Sequence, residues 1–192
     1  MPYKQHKQYR LQGYNYSAIG DYFITICTKN RKHHFGRITK INNTKTMELS
    51  AIGLFVNESI LSIPNIYEKI TLGETVVMPN YIHLIITLPR NKINYDCNQS
   101  SLQQLMAPHK GLCPLKPGSV SSIINHFKGK VTKWCNANEH RYFNWQLRFH
   151  DHIIRNEKSY NIISNYIAHN IYNWDDDENN EDGNNFRKDI RT

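Results

Sequence analysis

Cysteine is scarce in this 192-residue chain, and the four present (Cys27, Cys97, Cys113 and Cys135) are widely separated. None forms a CxxC pair, which leaves no support for a zinc knuckle or a dithiol redox motif. Thiols spaced in this way are expected to stay reduced, in a reducing compartment. Long apolar runs are also lacking: nothing approaches the ~20 residues that a membrane-crossing helix needs. The opening MPYKQHKQYR has none of the apolar stretch of a signal peptide. A cytoplasmic protein with no membrane partner is therefore the expectation. Acidic residues are missing where basic ones are dense. Up to residue 40 the chain carries Lys4, Lys7, Arg10, Lys29, Arg31, Lys32, Arg37 and Lys40 against Asp21 alone. The acids gather instead near the end, at Asp175, Asp176, Asp177, Glu178, Glu181 and Asp182.

The net charge of +8 therefore understates how basic the body of the chain is. An excess of this sign favours a phosphate-bearing partner through counterion release, although many basic proteins bind no nucleic acid. The length suits one domain of roughly 100–200 residues. With 39% hydrophobic and 21% charged residues the composition is that of a globular protein.

The segment YFITICT at 22–28 reads as a buried strand, and the turn-prone KNRKHHFG follows it. Helical spacing of Ile52, Phe55, Val56, Ser59, Ile60 and Ile63 predicts a helix over 51–63, with Ser50 as N-cap and Pro64 as its stop. Strands are expected at 69–78 and 82–88, joined at Pro79-Asn80. Residues 90–118 lack periodicity, contain Pro108, Pro114 and Pro117, and read as a long irregular insertion. A helix is expected over 119–136 on the stripe Val120, Ile123, Ile124, Phe127, Val131 and Trp134. A strand over 145–154 and a helix over 157–174 complete the pattern. The domain is thus expected to span 1–174, with 175–192 an acidic, frayed tail. This order implies an α+β fold, a ferredoxin-like (RRM-like) antiparallel sheet with helices packed on one face.

Three places could carry chemistry. Alternation puts Tyr81, His83 and Ile85 on one strand face, so two polar side chains two residues apart could aim at one metal ion. A histidine satisfied by the sheet is the plainer alternative. Tyr166 and Asn170 stand at i and i+4 of the expected helix, where a phenol and an amide would share a site. A tyrosine can attack a phosphodiester, yet Tyr166 also lies beside the packing stripe of Ile163 and Ile167. His150, Asp151, His152 and Arg155 form a third cluster, able to hold metal or phosphate or to act as scaffold.

In their order along the chain these segments resemble a known family. Val76-Val77-Met78-Pro79-Asn80-Tyr81-Ile82-His83-Leu84 is similar to the V-M-P-N-H-x-H segment of the single-tyrosine HUH transposases, in the branch of REP-associated tyrosine transposases. The lead-in from Arg10 to Ser17 with the strand 22–28 and Phe35-Gly36 resembles that branch's opening. The stretch from Trp145 to Glu157, leading into Tyr166-Ile167-Ala168-His169-Asn170, resembles its Y-I-x-x-N block. The resemblance implies a protein that binds single-stranded, hairpin-bearing DNA. It implies nicking and rejoining through a 5′-phosphotyrosine, with Tyr166 as nucleophile and Mg²⁺ or Mn²⁺ held by His83, Asn170 and the residue at position 81. His152 and Arg155 match a family block without an assigned step. Arg10, Arg31, Lys32, Lys128, Lys130, Lys133 and Arg155 are the candidate phosphate contacts, and Tyr14, Tyr16 and Trp134 could stack on bases. Monomer and homodimer are both open.

One position departs from the pattern. Tyr81 stands where the family has its first histidine, and a neutral phenol is a poor ligand for a hard dication. Three outcomes follow: a metal held by His83, Asn170, water and phosphate; ligation by a Tyr81 phenolate; or loss of cleavage with DNA binding retained. An RNA-binding module of similar fold is the alternative from another class, and it calls for aromatic residues on the open sheet face.

Overall fold

The computed structural model describes residues 18–89, 118–177, 179 and 180. Arg10, Tyr14 and Tyr16, almost all of the irregular insertion, and the chain from 181 on lie outside the described residues. The elements are β1 (Gly20–Cys27), β2 (Gly36–Ile41), β3 (Thr44–Leu49), α1 (Ala51–Leu61), α2 (Ile63–Ile66), β4 (Thr71–Val77), β5 (Tyr81–Leu88), α3 (Val120–Ala137), β6 (His150–Ile154) and α4 (Glu157–Ala168). Single 3₁₀ turns lie at Lys29–Arg31 and Trp174–Asp176. Four strands form an antiparallel sheet in the order β4-β5-β1-β6. With β2 and β3 set aside as a separate hairpin, this is the expected α+β, ferredoxin-like arrangement.

The sheet is two-sided because β1 and β5 alternate in register. Tyr22, Ile24 and Ile26 of β1 and Ile82, Leu84 and Ile86 of β5 enter one core with Ile52, Val56 and Ile60 of α1 and Ile123, Ile124, Phe127 and Val131 of α3. Each such side chain, fully buried, contributes about 1.5–3 kcal/mol. The opposite face is covered by α4, whose Ile167 packs with Ile85 and Ile154. The expected one-sided helix layer thus holds for α1 and α3, while α4 lies on the other side because its stripe of Tyr160, Ile163 and Ile167 meets Ile85, Val76 and Phe23.

Caps and turns set the element ends. Ser50 Oγ accepts from the Gly53 amide at 3.1 Å, as its position predicts. Pro64 does not stop the first helix: α1 ends at Leu61, and Pro64 sits in the first turn of α2, where its missing N–H costs nothing. The hairpin β2–β3, absent from the sequence reading, turns at Asn42 and Asn43, both with positive φ (47° and 64°). The strand expected over 145–154 shrinks to β6, and Trp145 makes only an isolated bridge to Thr28. The helix expected over 157–174 ends at Ala168. Beyond it the described residues reach 177, 179 and 180, and the rest of the expected tail lies outside them. Trp174 is buried, and Lys45 Nζ donates to the Tyr172 carbonyl at 2.8 Å and pairs with Asp175 at 2.7 Å. No helix among the described residues is long and apolar enough to cross a membrane.

Candidate active site

β1 and β5 position the centre. Their register sets Thr25 opposite His83 and Cys27 opposite Tyr81, so all four side chains lie on the face that α4 covers. His83 is buried, and its Nδ1 lies 2.9 Å from Thr25 Oγ1. Its Nε2 faces Tyr166 Oη of α4 at 3.4 Å. The Phe23 ring packs on the imidazole at 4.9 Å between centroids and meets Tyr166 edge-on. Tyr166 itself is 44% exposed, so its hydroxyl combines a buried partner with access to a ligand.

Burial pushes the His83 pKa down to about 4, against the upward pull of Asp177 and of a backbone hydrogen bond at Ile24. At neutral pH its imidazole is uncharged and carries one lone pair. With Nδ1 engaged by Thr25, Nε2 can accept the Tyr166 proton, which turns the phenol oxygen toward a reacting atom.

Tyr81 is wholly buried beside His83, the rings 4.5 Å apart. Its hydroxyl bonds to Asn170 Oδ1 and, at 2.6 Å, to Asp177 Oδ2. Asn170 lies past the end of α4, in the turn, so Tyr166 and Asn170 do not share a helical face as expected. They still reach the same centre, because the turn swings the amide under Tyr81. Asp177 is fixed in turn: its Oδ1 accepts from the Asn179 amide at 2.7 Å, and the Asn179 carbonyl accepts from Asn80 Nδ2 at 2.8 Å. Thr25 and Asp177 were missed from sequence. Alternation in YFITICT could have flagged Thr25; nothing in a run of four acidic residues singles out Asp177.

The resemblance implies a divalent cation at Tyr81, His83 and Asn170, and these residues do not fit one. Burial, with the neighbouring Asp177 carboxylate second, raises the Tyr81 pKa far above that of a free phenol, so the phenolate ligand is disfavoured. Asn170 Oδ1 is taken by the Tyr81 hydroxyl, while Asn170 Nδ2, a donor and no ligand, is buried without a hydrogen-bond partner among the described residues. Nor do three His, Cys, Asp or Glu side chains converge anywhere among those residues.

The candidate phosphate contacts divide. Lys128 Nζ donates to the Gln146 carbonyl at 2.7 Å, and burial lowers its pKa. Lys130 Nζ donates to Ser62 Oγ at 3.1 Å, above the Phe55 ring. Both ammonium groups are engaged by groups of the protein itself. Lys32, Lys133 and Arg155 are exposed and Arg31 is half-buried. Arg155 borders a surface groove with Asp21, Asn156 and Tyr160. Trp134 stacks on Phe55 at 4.5 Å, which makes it a packing residue and no base platform. Opposite Phe23 and Thr25, the exposed His152 and His150 of β6 stand on the His83 face.

No family model matches the chain. An uncharacterised protein of Haemophilus influenzae is 37% identical over 170 residues, covering 88% of this chain and 89% of that protein. Among solved structures, a REP-associated tyrosine transposase bound to a REP hairpin superposes with TM-score 0.52 at 21% identity, over 84% of this chain and 72% of the other. A Deinococcus radiodurans structure aligns at TM-score 0.42 and 12% identity over 83% of this chain and 95% of that one, too distant to bear on the site. The chain therefore belongs to one family with its Haemophilus influenzae relative and carries the fold of a REP-associated tyrosine transposase.

Proposed function

We propose that this protein binds hairpin-bearing single-stranded DNA across the sheet face of His83, and that strand cleavage by Tyr166 is impaired in it. DNA binding is supported by the shared fold with a transposase held on a REP hairpin, by the net charge of +8, and by the exposed Lys32, His150 and His152. The observation that carries the second half is the Tyr81 hydroxyl bonded to Asn170 and Asp177, which consumes the oxygen donors a metal would need. With a polarising ion, the Tyr166 oxygen would bond to phosphorus while the P–O3′ bond breaks, leaving a 3′-hydroxyl and a 5′-phosphotyrosine. Without one, charge building on the phosphate oxygens has little to stabilise it here: a neutral imidazole and a carboxylate of the wrong sign.

A second reading, an active nickase, draws on one specific feature: Tyr166 Oη sits 3.4 Å from a neutral imidazole and stays accessible. The half that concerns DNA is tested by competition. A labelled hairpin strand should be displaced by unlabelled DNA of the same sequence and only weakly by its RNA counterpart. Equal displacement by RNA would reassign the protein to the RNA-binding modules that share this sheet.

A further inference from the structure

We infer that Tyr142 is a stacking platform for an unpaired base of single-stranded DNA, with Lys29, Lys32 and Arg141 beside it as phosphate contacts. The inference rests on the proposed DNA-binding reading and adds to it the place where one base is held. Tyr142 lies in the loop between α3 and β6 and is 63% exposed. One exposed tyrosine is ordinary on a protein surface. This one stands on other rings. His34 lies 5.6 Å away between centroids, tilted by 38°, and His140 meets it edge-on at 5.8 Å, with Nδ1 3.1 Å from the Tyr142 hydroxyl. Burial lowers the His34 pKa, and the Lys32 ammonium lowers it further, so the ring against Tyr142 is uncharged at neutral pH. The same effect sets the Lys32 charge beside the rings. Trp134, packed on Phe55, also touches His140, so the chain of rings that begins there reaches the surface at Tyr142.

Two loops hold this surface in place. Phe143 is buried in the main core, and its amide donates to the His140 carbonyl at 2.9 Å. The Asn144 carbonyl accepts from the Lys29 amide at 2.9 Å, and Thr28 Oγ1 donates to the Lys32 carbonyl at 2.8 Å. A ring already fixed loses little freedom on binding, so the gain from stacking is kept. The charge suits a polyanion: residues 28–34 and 138–149 carry Lys29, Arg31, Lys32, Arg141 and Arg148 against Glu139 alone. Aromatic rings among phosphate-binding cations are what a single strand requires, because every base has a face to stack. The same loops lead to the His83 centre. His33 packs on Trp174 at 5.7 Å, and Trp174 borders the Tyr81 ring at 6.1 Å. His34, the next residue, touches Tyr142, so a strand leaving Tyr166 past His33 meets the platform next.

The test measures the affinity of the full chain for two hairpin-tipped strands, one with unpaired thymidine flanks and one with abasic flanks that keep every phosphate. On the thymidine strand Tyr142→Ala should weaken binding between about fivefold and a hundredfold, while Tyr142→Phe, which keeps the ring, should bind as the natural protein does. On the abasic strand Tyr142→Ala should cost nothing further. Lys32→Ala should reduce the slope of log affinity against log salt by about 0.7, the value for one phosphate contact on a single strand, and Tyr142→Ala should leave that slope unchanged. Should Tyr142→Ala fail to fold, Tyr142→Leu, which fills the space without an aromatic face, takes its place with the same expected loss. Equal binding by the natural protein and Tyr142→Ala on the thymidine strand would overturn the inference alone. So would an equal loss on both strands, which would make Tyr142 a support of the loop and no platform. A natural protein that retained neither strand would overturn the DNA-binding reading itself.

Discussion

Two tyrosines meet one histidine at this centre, and their environments divide the roles. Tyr166 is accessible and touches His83, while Tyr81 is sealed in and touches oxygens. Tyr166→Phe removes a hydroxyl from a partly exposed ring, so stability should change by less than about 1 kcal/mol in denaturant melts. The same variant should form no covalent protein–DNA product under any metal. His83 gives the protein a pH signature. Its folded pKa of about 4 lies below the usual histidine value, so the unfolded chain binds a proton between the two values and the folded chain does not. Stability should therefore be fully present above about pH 6.5 and fall as the pH drops toward 4, by at most about 3 kcal/mol. Melting temperatures across that window check this, and His83→Gln should flatten the slope.

At the scale of elements, close approach and turn geometry explain what propensity does not. Gly53 lies inside α1, where alanine is normally the better residue. A Cβ there would sit 2.0 Å from the Phe35 carbonyl oxygen, which itself accepts from the Ser50 amide. Gly53→Ala should thus destabilise by about 2 kcal/mol or more, measured by urea unfolding, against the gain that helix propensity promises. In the β2–β3 turn, Asn43→Val should cost about 1 kcal/mol and Asn43→Gly should cost nothing, since φ is positive there. The strands and helices that face the main core were legible because burial writes a period into the sequence, as in YFITICT and the Val120-to-Val131 stripe. The hairpin escaped because none of its residues is fully buried, and the half-buried positions of β3 alternate but begin with Lys45, leaving only Met47 and Leu49 as apolar marks. The last helix was read too long because Asn170 and Ile171 keep helical spacing although the chain has already turned. His83, Tyr166 and Asn170 were found as a set, but the helical face proposed to unite the last two is not what unites them. Asp177 acts through a tertiary contact that spans 96 residues, and local sequence carries no trace of it.

For the whole molecule, the arrangement is a sheet with one face closed by α1 and α3 and the other only partly covered by α4. That leaves His150 and His152 exposed beside the His83 centre. Nucleic acid following that face would pass Tyr166, and the net charge of +8 would favour its binding in a salt-dependent way. Binding should weaken steeply as salt rises, whereas a chelator should leave it unchanged, because the oxygens at Tyr81 are satisfied by a proton and not by an ion. The most direct measurement incubates a hairpin-tipped single strand with Mn²⁺ and either the natural protein or Tyr81→His, and follows both retention on a native gel and covalent adduct on a denaturing gel. Both proteins should retain the DNA, and the adduct should appear with Tyr81→His alone. An adduct formed by the natural protein and lost in Tyr166→Phe would contradict the claim that Tyr81 has closed the site to cleavage.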